Sequence, residues 1–203
     1  MSIVPARRAT LRVLGGAALV AALPVALSAC KDQPAFKGSS LAGTHLGKDV
    51  AMVDQDGKPR AMRDFAGKVV VAFFGYTHCP DVCPTSLAEL AQVMQTLGAD
   101  AAKVQVVMIT VDPERDTPDV MKQYVTTFNP AFVGFTGDLA QLKAAATSFK
   151  AYYAKVPTKD GSDYSMDHSA AFYLLDQKGE AQVLVNNNAG ADALVHDIKL
   201  LLA

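Results

Sequence analysis

The chain has 203 residues, half of them apolar and 19% charged, with a formal net charge of −1. Those proportions describe a folded globular protein and exclude a disordered or collagen-like one. No basic tract or arginine cluster interrupts the sequence, which argues against a nucleic-acid partner.

Residues 1–29 read as an export signal. Arg7, Arg8 and Arg12 form a basic start without an acid, and Val13 to Leu27 is an apolar run interrupted by Gly15, Gly16 and Pro24. Leu27-Ser28-Ala29-Cys30 then has the pattern of a bacterial lipobox, in which Cys30 becomes the lipidated first residue after cleavage. The Arg7-Arg8 pair also matches a twin-arginine export signal in part. Two alternatives stay open. One is an ordinary cleaved signal. The other is a retained anchor, because Val13 to Cys30 carries no charge and approaches the roughly 20 residues a span needs. All three place the folded domain outside the cytoplasm; the lipobox and retained-anchor readings also hold it to the membrane of a bacterial cell envelope, facing the periplasm. The 19 basic residues less Arg7, Arg8 and Arg12 leave 16 against 20 acidic ones, so the mature chain is acidic by 4 charges.

Residues 30–47 are polar, with Gly, Ser and Pro, and read as a tether. Residues 48–203 then make one domain of ordinary size. Val50 to Val53 with Asp56-Gly57 predicts a β-hairpin, since Asp-Gly favours the required turn. Val69 to Phe74 is a continuous β-branched and aromatic run, as in a buried central strand. A helix follows, with Pro84 in its first turn, Leu87, Leu90, Ala91, Met94 and Leu97 as its apolar stripe, and Gly98 at its end. Val104 to Val111 is a second buried strand.

Thr117-Pro118 caps a helix carrying Val120, Met121, Tyr124, Val125 and Phe128. Phe132 to Phe135 reads as a short strand, and Asp138 caps a further helix with Leu139, Leu142, Ala146 and Phe149 inward. Tyr152 to Val156 reads as a strand and Pro157 to Asp167 as a loop. Ala170 to Leu175, a Gln177-Lys178-Gly179 turn and Ala181 to Val185 form a second hairpin. Leu194, Ile198, Leu201 and Leu202 mark a terminal amphipathic helix. This order gives a three-layer α/β domain, a thioredoxin-like fold with an N-terminal β-hairpin and a helix-strand insertion.

The chemistry centres on Phe73-Phe74-Gly75-Tyr76-Thr77-His78-Cys79-Pro80-Asp81-Val82-Cys83-Pro84. The spacing is CxxxC and not the CxxC of a dithiol reductase. If the helix begins at or near Cys79, one turn separates the two sulfurs and they share a face. No Lys or Arg occurs between Lys68 and Lys103, so the local sequence offers no cation to a thiolate, whereas a metal ion would.

Two sulfurs do not complete a site, and the third donor is sought among four histidines. His168 stands where the loop enters the strand beginning at Ala170. A reducing thioredoxin keeps a proline there, yet the nearest preceding proline in this chain is Pro157. Cys79, Cys83 and His168 suit trigonal Cu(I), or Cu(II) with a further ligand, and zinc would also accept the set. His78 reads as an orienting or solvent-facing neighbour, and His45 and His196 as surface residues. Met166 reads as a core filler. Asp81 lies inside the cysteine loop. Asp112, after the second long strand, either supports the site from behind the donors or caps the following helix.

The chain resembles the Sco/SenC family. Phe74 to Pro84, Thr110 to Pro118, and His168-Ser169 with Tyr173, Leu174 and Asp176 carry the resemblance, which runs over roughly residues 40 to 203. It implies a thioredoxin-like fold, copper ligation by Cys79, Cys83 and His168, and delivery of Cu(I) or Cu(II) to the CuA-bearing subunit of cytochrome c oxidase. Another periplasmic copper chaperone or a thiol reductant would be a further partner. That role is a carrier's and not an enzyme's. The alternative is a thiol–disulfide reductase in which Cys79 attacks, Cys83 resolves, and the pair cycles through a disulfide to keep the CuA cysteines reduced. A peroxiredoxin-type peroxidase would need a Thr and an Arg around Cys79 that the local sequence lacks.

Overall fold

The structure is a computed structural model and describes residues 35–203. The export signal and Cys30 lie outside the described residues. Among the described residues, ten strands and four α-helices follow in chain order. They are β1 (Ser39–Ser40), β2 (Ala51–Asp54), β3 (Pro59–Ala61), β4 (Val69–Gly75), α1 (Val82–Leu97), β5 (Val104–Thr110) and α2 (Pro118–Phe128). Then come β6 (Val133–Thr136), α3 (Leu139–Phe149), β7 (Tyr153–Pro157), β8 (Tyr164–His168), β9 (Ala171–Leu175), β10 (Ala181–Asn186) and α4 (Ala191–Leu202). Among the described residues no helix is long and apolar enough to cross a membrane.

An uninterrupted apolar strand is stable only where both its faces are covered. β4 is such a strand, and it lies inside an eight-stranded sheet of order β1-β10-β9-β4-β5-β6-β2-β3. It pairs in parallel with β5 from Val69↔Val104 to Gly75↔Thr110, and antiparallel with β9. Side chains alternate across a strand. Val69, Val71 and Phe73 therefore pack on one face with Leu87 and Leu90 of α1, Met121 and Val125 of α2, and Leu194 and Ile198 of α4. Val70, Ala72 and Phe74 face the other way, against Leu142, Ala146 and Phe149 of α3. The result is the expected three-layer, thioredoxin-like arrangement, with the β2–β3 hairpin and a segment holding α2, β6, α3, β7 and β8 between β5 and β9. Thr117 caps α2 through Val120 N–H, and Asp138 with Gln141 forms a capping box on α3.

Three expectations need correction. The segment Pro157 to Asp167 is not a loop throughout: β8 pairs antiparallel with β7, and only the turn between them is irregular. β8 reads Tyr-Ser-Met-Asp-His, so a single buried residue, Met166, carries its apolar signal. Residues 39–47, read as tether, lie on the folded unit. β1 pairs with β10, Leu46 is buried, and Gly47 N–H donates to the Ser148 carbonyl. Leu139, placed on the inward stripe of α3, is exposed because it is the first helical residue and precedes the turn that meets the sheet.

Gly47 shows how closely the early segment is fitted. Its φ is +72°, a left-handed conformation that side chains resist, and a Cβ there would run into the Phe149 ring. Gly47→Ala is expected to cost about 2–4 kcal/mol, the strain of that backbone plus overpacking. Chemical denaturation measures this, and an unchanged midpoint would place residues 39–47 outside the cooperative unit.

Candidate metal centre

β4 ends at Gly75, and the chain turns through residues 76–81 into α1. The helix begins at Val82, with Pro84 in its first turn as expected. Cys79 precedes Pro80, and the residue before a proline disfavours the helical conformation. Cys79 therefore stands in the turn, half-buried, while Cys83 occupies the second helical position and is 1% exposed. Pro84 is tolerated in the first turn because its missing N–H would be unpaired there anyway. Gly75 makes room for the sulfur: a Cβ at that position would stand 3.0 Å from Cys83 Sγ.

The turn is held by Asp116, a fully buried carboxylate. It accepts hydrogen bonds from Thr77 N–H at 3.1 Å, Thr77 Oγ1 at 2.6 Å and Thr110 Oγ1 at 2.5 Å. Burial raises the Asp116 pKa, and the Thr110 and Thr77 donors oppose that rise.

His168 closes the site from the end of β8. Its Nδ1 lies 3.0 Å from the Ser169 carbonyl oxygen. A carbonyl only accepts, so Nδ1–H donates to it and Nε2 faces the sulfurs. That nitrogen is 3.7 Å from Cys83 Sγ. The Tyr76 ring packs edge to face against the imidazole, with centroids 5.9 Å apart and planes at 87°. The donor atoms of Cys79, Cys83 and His168 all lie within 4.8 Å of one another. Both cysteines are free thiols. Burial pushes the Cys83 thiol well above the usual range, and neighbouring Cys79 adds to this. In the reduced protein at neutral pH Cys83 therefore holds its proton until something displaces it.

The three-residue donor group does not include Asp81 or Asp112. Asp81 is exposed at the N-cap of α1 and makes no side-chain cap bond. Asp112 is buried, with its carboxylate taken by the Arg115 guanidinium and by Tyr164 Oη–H at 2.9 Å. His78 is exposed beside Thr77, His45 pairs with Glu180, and His196 with Asp197. Sequence reasoning missed Asp116, Tyr76 and Tyr164. Asp116 had a signal, since it follows the C-terminal end of a central parallel strand, where open α/β sheets place functional groups. Tyr164 had none, lying in a stretch that reads as polar loop.

Residues 39–203 match the family model SCO1/SenC. The chain belongs to the SCO1/SenC family. A curated relative, the mouse mitochondrial protein SCO2 homolog, is 40% identical over 157 residues, which are 76% of this chain and 62% of that protein. The human counterpart is covered over only 50% of its length, so the chain spans between half and two-thirds of these relatives. Among solved structures, Bradyrhizobium japonicum ScoI with copper bound is 45% identical with a TM-score of 0.70, covering 76% of this chain and 98% of that one. BsSco, described by a disulfide switch and as a member of the Sco family of cytochrome c oxidase assembly proteins, is 26% identical with a TM-score of 0.61. That match covers 77% of this chain and 93% of BsSco.

In this Sco-family fold Asp116 satisfies a backbone N–H and two hydroxyls at once. Asp116→Ala leaves Thr77 N–H and both hydroxyls without their buried partner, and is expected to lower stability by about 1–3 kcal/mol. Thermal unfolding of the metal-free protein is the measurement, and an unchanged midpoint would show that the carboxylate does not hold the turn.

Proposed function

We propose that this protein is a copper carrier of the cell envelope, binding one copper ion through Cys79 Sγ, Cys83 Sγ and His168 Nε2 and passing it to the CuA-bearing subunit of cytochrome c oxidase. The observation that carries the reading is the convergence of two sulfurs and an imidazole nitrogen within 4.8 Å, the histidine arriving from 85 residues away in sequence. Two thiolates and one imidazole form a soft, three-coordinate set that fits Cu(I), with an open position for a ligand from the recipient. His168 suits this role because its Nδ1–H is committed to a carbonyl, which fixes both tautomer and ring orientation. Release by ligand exchange is favoured by the half-buried placing of Cys79 and His168, which leaves the metal reachable from solvent. The lipobox at Cys30 supports a lipid anchor, and the copper-bound relative supports the metal.

A second reading is favoured by the free, neighbouring thiols and by the relative with a disulfide switch. Cys79 would attack a recipient disulfide, and Cys83 would then displace the recipient thiol. The recipient is reduced, the pair is oxidised to a disulfide, and a thiol reductant must restore it. The high Cys83 pKa leaves Cys79, which is also the more exposed, as the attacking group.

Anaerobic Cu(I) titration in competition with a chelator separates the readings. The wild-type chain, carrying Cys30→Ser to remove the third thiol, is expected to bind one equivalent, and His168→Ala to bind at least about tenfold more weakly. Equal affinity in the two would remove His168 from the site. Because copper must displace the proton that burial keeps on Cys83, apparent affinity should rise by at least about tenfold per pH unit between pH 6 and 8. An affinity independent of pH over that range would show that Cys83 is not a ligand.

A further inference from the structure

The β7–β8 hairpin carries His168, yet it forms a separate two-stranded sheet with no ladder bonds to the main one. An isolated hairpin is marginally stable, so its seat depends on side chains. Along β8 the side chains alternate, placing Tyr164, Met166 and His168 on one face and exposed Ser165 and Asp167 on the other. Met166 enters the core at the middle of the strand. At the end remote from His168, Tyr164 is gripped by the loop that follows β5. The Arg115 guanidinium carbon lies 3.8 Å from the Tyr164 ring centroid, and the phenol hydroxyl donates to Asp112. Arg115 is itself bound to Asp112 and reaches Asp163 at 3.1 Å. Its second terminal nitrogen is buried and meets no hydrogen-bond acceptor among the described residues, so stacking on the ring contributes to where the guanidinium sits. Lys155 of β7 adds a second cation 4.1 Å from the same ring and pairs with Glu114 of the same loop.

This loop has two grips. Asp116 holds Thr77, two residues before Cys79, and Arg115 with Asp112 holds Tyr164, four residues before His168. None of its residues belongs to the donor set. We infer that Arg115 and Tyr164 are positioning residues of the metal centre: the loop from Asp112 to Asp116 ties the cysteine turn and the histidine hairpin to one support, and so sets the distance from His168 to the two sulfurs. The inference rests on the reading of His168 as a copper ligand, and the grip itself is measurable without copper.

The experiment uses the full chain with Cys30→Ser, and compares Arg115→Ala, Tyr164→Leu, His168→Ala and the double variant Arg115→Ala/His168→Ala. Amide hydrogen exchange is read first, on the metal-free protein. The amides of β8 are expected to exchange at least about tenfold faster in Arg115→Ala, with β4, β5 and β9 unchanged. Cu(I) affinity should fall about tenfold towards that of His168→Ala. The double variant should then bind no more weakly than His168→Ala alone, a non-additivity that a general loss of stability would not produce. If Arg115→Ala does not fold, Tyr164→Leu, which removes the hydroxyl and the ring, makes the same two measurements. Unchanged exchange in β8 overturns the grip. Faster exchange with wild-type copper affinity, or additive losses in the double variant, overturns the positioning role. A His168→Ala variant that binds copper as the wild type does would overturn the ligand assignment instead, leaving the exchange result to judge the grip.

Discussion

The parallel pairing of β4 with β5 is the constraint from which the site follows. Both strands are buried on both faces, and their register runs unbroken to Gly75 opposite Thr110. A one-residue slip of such a pair would exchange its two faces and force both apolar layers to repack. Its C-terminal edge is thereby fixed, and the two chain segments leaving that edge must lie side by side. One is the cysteine turn and the other the acidic loop. Asp116 bridges them through Thr77 and Thr110, and Val111 N–H donates to the Gly75 carbonyl at 2.8 Å.

The two cysteines are unequal because of where that edge leaves them. Cys83 is drawn under the first turn of α1 and against Gly75, where a thiolate would lose nearly all its water. A buried charge is costly unless paired, so this sulfur is stable with a proton or with a metal and unstable bare. The N-terminus of α1 offsets only part of that cost. Cys79, held in the turn by Pro80, keeps contact with solvent. One sulfur is suited to retention and the other to exchange.

Much of the architecture is legible in short-range pattern. The unbroken apolar run of β4, the caps at Thr117 and Asp138, and the Asp56-Gly57 and Lys178-Gly179 turns are local signals, each read by residues within a few positions of one another. The failures are places where a distant partner decides. β8 has the composition of a loop and becomes a strand because β7 lies beside it and Met166 finds the core. Ser39 and Ser40 carry no strand signal and pair because β10 offers an open edge. The start of α1 at Val82 is by contrast a local effect, set by Pro80 and consistent with Pro84 in the first turn. Asp112 receives Tyr164 behind the histidine hairpin, and the fully buried Asp116, four residues further on, organises the cysteine turn.

The sequence by itself determined the donor chemistry: two thiols at CxxxC spacing after a buried strand, a histidine where a redox fold keeps proline, and the order of elements that names the fold. Those are properties of residue type and near-neighbour spacing, which a one-dimensional chain carries in full. Only the tertiary structure decided that His168 Nε2 reaches Cys83, that its proton sits on Nδ1, and that Arg115 and Tyr164 brace the hairpin behind it. These depend on sheet register and on side chains meeting across 39 to 85 residues of sequence, and no local pattern records such meetings.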